Sequence, residues 1–176
     1  MNTKSLVLKA LLVSVGAALY LIIPGINGGM KPDFMLTMMF VGILLFPNAK
    51  SVFLLAVTTG VISGLFSTFP AGFIPNIVDK FITAFVFFAV VVLIRKLATK
   101  LPVAIALCGL GTILSGAIFL SVAIFILNVD VPFGFLFLTV VLPAVLMNGV
   151  AFAFIFPIVT SLVKRAKLQT AVSESV

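Results

Sequence analysis

Two short stretches hold most of the side chains in this sequence that could do chemistry. The first, Pro24-Gly-Ile-Asn-Gly-Gly-Met-Lys-Pro-Asp33, carries Asn27, Lys31 and Asp33 among glycines. The second, Phe69-Pro-Ala-Gly-Phe-Ile-Pro-Asn-Ile-Val-Asp-Lys80, carries Asn76, Asp79 and Lys80. Each combines a cation with at least one anion. A zwitterionic ligand requires that combination, a cation for its carboxylate and an anion for its ammonium. Glycines also let a ligand approach the main chain. A solvated outer loop with locally cancelling charges would have the same composition. Asn148 falls at the midpoint of the last apolar run, where an amide must find a partner, either across helices or on a ligand. The candidate substrate-binding residues are therefore Lys31, Asp33, Asn76, Asp79, Lys80 and Asn148.

Catalytic chemistry is poorly supplied. There is no histidine, which removes the commonest general base and metal ligand. The acids are Asp33, Asp79, Asp130 and Glu174, and no two form a paired-carboxylate motif. Gly109-Leu-Gly111 is followed by no lysine and is not a phosphate loop. The single cysteine, Cys108, lies in an apolar run and reads as a small packing residue. These absences predict a protein that is not an enzyme, has no metal and no cofactor, and cannot hydrolyse ATP by itself.

The elements that position these residues are apolar helices. Hydrophobic residues make up 63% of the 176 and charged residues 9%. No soluble domain of this size could hide that much apolar surface. The net charge of +7 predicts no nucleic-acid partner, because the basic residues punctuate apolar runs and do not cluster on one face. The expected fold is an all-α integral membrane protein, one domain over residues 1–176, with about six transmembrane helices at 6–23, 34–46, 51–69, 81–94, 103–127 and 133–163. The first run has no small-residue cleavage site and reads as a retained helix. The second and fourth runs are short for a bilayer, and the fifth and sixth are long. Pro143 and Pro157 should kink the sixth.

Basic residues set the orientation. With six spans and the N-terminus and C-terminus cytoplasmic, Lys4, Lys9, Lys50, Arg95, Lys96, Lys100, Lys164, Arg165 and Lys167 lie inside. Only Lys31 and Lys80 lie outside, nine against two. A five-span alternative with span 34–46 re-entrant scores eight against three. Both polar stretches then face outward. The shortness of span 34–46 requires the first loop to dip inward, and polar backbone at membrane depth must line a cavity or be buried in protein.

Met35, Met38 and Met39 share a face of span 34–46, just after Met30. Such a face can hold an aromatic ring through sulfur or can be ordinary core. Tyr20 reads as an interfacial anchor. Gly60-Val-Ile-Ser-Gly64 is a GxxxG motif, and Ala10, Ser14 and Ala18 form a small stripe at four-residue spacing, a smooth face for a partner helix.

Six short-looped helices, a small-residue stripe on the first and a basic cytoplasmic end resemble the substrate-binding S components of energy-coupling factor (ECF) transporters. More closely, Gly28 to Pro47 (GGMKPDFMLTMMFVGILLFP) and Phe69 to Phe85 (FPAGFIPNIVDKFITAF) resemble the bacterial tryptophan transport protein family, TrpP. Ser115 to Ala123 and Val141 to Gly149 fit as well. The resemblance implies a multi-pass protein of the bacterial plasma membrane that captures tryptophan from outside. It implies as partners a transmembrane coupling subunit and two cytoplasmic ATPases, with the small stripe facing the coupling subunit. Ser14 stands where that type would place an alanine. With tryptophan as ligand, Lys31 or Lys80 would meet the carboxylate, and Asp79 or Asp33 the ammonium, with Asp79 preferred. Asn76 or Asn148 would accept the indole N–H. The alternatives are a self-sufficient secondary permease for an aromatic amino acid, and an S component for another small aromatic or vitamin-like solute.

Overall fold

In hydrocarbon a backbone polar group without a partner costs several kcal/mol, so apolar runs of this kind satisfy their own peptides as helices. The computed structural model describes residues 3–24, 31–166 and 170–171, and among these it contains helices and short turns and no strand. The helices are α1 (Thr3–Ile22), α2 (Phe34–Leu45), α3 (Ala49–Leu65), α4 (Phe73–Leu93), α5 (Arg95–Ala98), α6 (Leu101–Ser121), α7 (Phe133–Leu136) and α8 (Leu142–Arg165). A widened π-turn, Val122–Ile126, extends α6, and another, Phe137–Val141, joins α7 to α8. In the second, the Leu142 N–H donates to the Phe137 carbonyl five residues back. That widening falls immediately before Pro143, whose ring and missing N–H would otherwise disrupt the turn.

Four helical runs are long and apolar enough to cross a membrane: Thr3–Ile22, Phe73–Leu93, Leu101–Ile126 and Phe133–Arg165. The last has 33 residues, or about 50 Å at 1.5 Å each, against a hydrocarbon core of about 30 Å. α2 and α3 are shorter, at 12 and 17 residues.

Every residue of α2 is buried. It is packed by α1, α3, α4, α6 and α8. Its sequence, FMLTMMFVGILL, is apolar on all sides, and a helix of that kind belongs in an interior. On the outside the pattern of a soluble protein is inverted. Ile22, Leu65, Leu93, Phe125, Leu146 and Phe154 are each two-thirds or more exposed, while Asp79, Lys80, Thr112, Ser115 and Asn148 are buried. So much exposed apolar surface is tolerated only against lipid. The protein is an all-α membrane protein.

Close helix contacts use the small residues. A Cβ at Gly60 would lie 3.0 Å from Ile77 Cα, and one at Gly64 would lie 2.9 Å from the Phe73 carbonyl oxygen. The GxxxG face of α3 therefore sits directly on α4. A Cβ at Gly16 of α1 would lie 3.1 Å from the Phe34 carbonyl oxygen, which brings α1 against the start of α2. Ala10, Ser14 and Ala18 are exposed, while Lys9, Leu12, Val13 and Gly16 of the same helix are buried. Lys9 is a buried cation on the inward side of α1. Its Nζ donates to Ser51 Oγ (2.7 Å) and Ser5 Oγ (3.1 Å) and lies 4.9 Å from the Phe46 ring centroid.

The largest departure from the sequence reading is in α4. The sequence suggests a loop up to Lys80 and a helix from Phe81, but the helix begins at Phe73. Pro75 stands in its first turn, where backbone N–H groups have no intrahelical partner and a proline loses nothing. Asn76, Asp79 and Lys80 therefore project from a rigid helix and not from a loop.

Candidate functional site

Asn76, Asp79, Lys80 and Thr83 occupy the buried face of α4. Lys80 is the centre of an ion network. Its Nζ donates to Asp33 Oδ2 (2.8 Å), Asp79 Oδ2 (2.8 Å) and Ser115 Oγ (3.4 Å), which uses all three ammonium protons. Asp79 accepts in addition from Ser115 Oγ (2.8 Å) and Thr83 Oγ1 (2.9 Å). A carboxylate that is 1% exposed is tenable in a membrane interior only with such a complement of donors.

Asp33 is placed differently. Its Oδ1 accepts from the Leu36 N–H (2.9 Å) and caps the N-terminus of α2, where the helix dipole favours an anion. Its own N–H donates to Asn148 Oδ1 (2.7 Å), and Asn148 Nδ2 donates to Thr112 Oγ1 (3.1 Å). Asn148 thereby ties α8 to α2 and α6, the interhelical role open to it. The Asp33 side chain is 32% exposed, so it is the acid of the network that retains open surface. Lys31 Nζ donates to the Tyr20 carbonyl oxygen (2.6 Å) and sits 3.7 Å from the Tyr20 ring centroid, a cation–π contact. The cation joining the two polar stretches is thus Lys80, through Asp33.

These groups border one cavity of about 470 Å³, within the size range of pockets that hold single small molecules. Lys31, Asp33, Asn76, Asp79, Lys80 and Asn148 all line it, together with Tyr20, Thr112 and Ser115. The rest of the wall is largely apolar and includes Phe69, Phe119, Leu136, Val140 and Met147. Phe69 and Phe119 meet edge to face, with centroids 5.2 Å apart. Of the methionine face only Met35 reaches the cavity, and its sulfur contacts Ser63 Oγ at 3.5 Å. Met38 and Met39 are core. Tyr20, read from sequence as an interfacial anchor, lines the cavity as well. Asn27 and Met30 lie outside the described residues.

Sequence reasoning missed Thr112, Ser115 and Thr83. Isolated hydroxyl residues in apolar helices are common. The available signal was spacing: Thr112 and Ser115 are three apart on one face of α6, and Thr83 follows Asp79 by one turn.

Apolar outer faces thus surround a cavity lined by both charged and aromatic side chains, within a membrane protein. Residues 2–164 match the family model described as tryptophan transporter TrpP, and the chain belongs to that family. A protein of Bacillus subtilis described as a probable tryptophan transport protein is 48% identical over 171 residues, covering 97% of this chain and 99% of its own. Proteins of the same description from Clostridium acetobutylicum and Clostridium perfringens are 40% and 37% identical, covering 89% and 95% of this chain and 91% and 97% of theirs. No solved structure matches the chain significantly.

Proposed function

We propose that this protein is the substrate-binding component of a tryptophan uptake system of the bacterial cell membrane, with both termini cytoplasmic and the cavity open to the outside. The observation that carries the reading is the cavity itself, which offers the Asp33 carboxylate and the Lys31 ammonium beside an aromatic wall. In this reading Asp33 meets the substrate ammonium and Lys31 its carboxylate. The indole lies against Phe69, Phe119 and Met35. Lys80 and Asp79 hold the Asp33 carboxylate in place, with Asn148 fixing the backbone at Asp33. Asp79 thus gives up the ammonium-binding role that the sequence suggests, because its oxygens already accept from three side chains.

The chain has no phosphate loop with which to use ATP, so the energy would come from an ECF module of a transmembrane coupling subunit and two cytoplasmic ATPases. The exposed stripe of Ala10, Ser14 and Ala18 supports that assembly, since small side chains permit the close backbone approach that membrane helix interfaces use. The test has two arms. Purified protein titrated with tryptophan in mild detergent should bind it. Proteoliposomes should take up tryptophan only when the module is co-reconstituted. Absence of tryptophan binding overturns the substrate, and uptake by the chain alone would identify a self-sufficient permease.

A further inference from the structure

Asp33, Asp79, Lys80, Thr112, Ser115 and Asn148 have their hydrogen-bonding capacity largely spent on one another, and Asn76 differs from them. Its Nδ2 donates to the Gly72 carbonyl oxygen of its own helix at 2.7 Å, which fixes the amide and determines which end is the acceptor. Its Oδ1 takes no protein donor among the described residues, although the residue is only 8% exposed. Thr59 Oγ1 is the one fully buried side-chain polar atom among the described residues without a partner. Asn76 Oδ1 therefore keeps contact with open space, and the space that Asn76 lines is the cavity. Asn148, the other amide there, has its oxygen occupied by the Asp33 N–H at 2.7 Å. Of the two amides lining this cavity, only Asn76 therefore has an oxygen without a protein donor among the described residues.

We infer that Asn76 determines specificity by accepting the ring N–H of the bound side chain, so that the site selects an indole over bicyclic or phenyl rings without that donor. This rests on the tryptophan reading above. The placement fits. Asn76 lies in the first turns of α4, directly after the turn that carries Phe69, and one helical turn (about 6 Å along the axis) from Lys80, which holds Asp33. An amino-acid head group at Asp33 would leave the ring beside Phe69 and Asn76. A site built to hydrogen-bond a ligand N–H penalises an analogue lacking it, because its own acceptor is then left unpaired.

The experiment compares tryptophan with β-(3-benzothienyl)alanine, which has the same bicyclic shape with sulfur in place of the N–H. Both are titrated into the purified protein in detergent. The wild type should bind tryptophan about tenfold more tightly, the effect of roughly one neutral hydrogen bond. Asn76→Leu should weaken tryptophan about tenfold and leave the thienyl analogue nearly unchanged, so the preference vanishes. Asn76→Asp keeps an acceptor but loses the donor to Gly72, and it should retain the preference. Should Asn76→Leu fail to fold, the wild-type ratio and Asn76→Asp decide. Equal wild-type affinity for the two ligands overturns the inference while leaving tryptophan as substrate. So does loss of the preference in Asn76→Asp, which would leave Asn76 only a structural role through its bond to the Gly72 carbonyl. A wild type that binds neither ligand removes the tryptophan reading and the inference with it.

Discussion

Replacing Asp33 with asparagine tests the ion network where substrate would touch it. The substitution removes one negative charge and, with it, the Oδ2 that accepts from Lys80, since the amide NH2 takes its place. Asparagine caps a helix N-terminus as well as aspartate does, so the bond to the Leu36 N–H survives. Lys80 keeps Asp79 and Ser115 as partners and is not stranded. The loss then falls on the ligand ammonium, which exchanges a charge-assisted hydrogen bond for a neutral one. Such bonds contribute about 1.5–3 kcal/mol, so tryptophan affinity should fall by roughly 10- to 150-fold at 1.4 kcal/mol per decade. Indole-3-propionate, which lacks the amino group, should lose much less. Calorimetric titration of both ligands in detergent separates a contact from a folding defect. Asp79→Asn provides the contrast. Its carboxylate is buried beneath three side-chain donors, and breaking a buried pair costs about 3–5 kcal/mol of stability. It should lower the melting temperature and weaken both ligands together. Unchanged tryptophan affinity in Asp33→Asn, or a parallel loss of both ligands, refutes the assignment of Asp33 to the ammonium.

Other outcomes follow from the packing and the charge pattern. Ser14→Phe should bind tryptophan normally and lose most uptake when the energising module is present, because the ring blocks a small exposed face; normal uptake would count against a partner there. A cysteine at exposed Asp130 should react with an impermeant thiol reagent on intact cells and one at exposed Asn48 should not; labelling at Asn48 would reverse the orientation inferred from basic residues. Gly64→Val should destabilise by about 1–3 kcal/mol, since its Cβ would press on the Phe73 backbone. Gly109→Ala, whose Cβ would meet only Val145 Cγ1 at 3.5 Å, should be near neutral in thermal melts.

Composition alone determined that the chain is helical and lives in lipid, because 63% hydrophobic residues leave no other solvent for its outer faces. Charges confined to run ends made the helix boundaries legible to within a few residues almost everywhere. They failed at Phe73–Lys80, where prolines and a charged pair look like a loop; a first turn tolerates proline, and a buried partner tolerates charge. The six polar candidates were legible as types, because few polar residues are present to choose from. Their partners were not. Lys31 and Lys80 are interchangeable on paper. Only the fold sets Lys80 between Asp79 on its own helix and Asp33 across a gap of 47 positions, and leaves Lys31 on the end of α1 against Tyr20. Likewise Asn76 and Asn148 are the same amide. Tertiary structure gives the Asn148 oxygen to a backbone N–H 115 residues away and leaves the Asn76 oxygen without a protein donor among the described residues. Hydrogen-bond pairing depends on distances of about 3 Å between helices remote in sequence, and no local pattern encodes those distances.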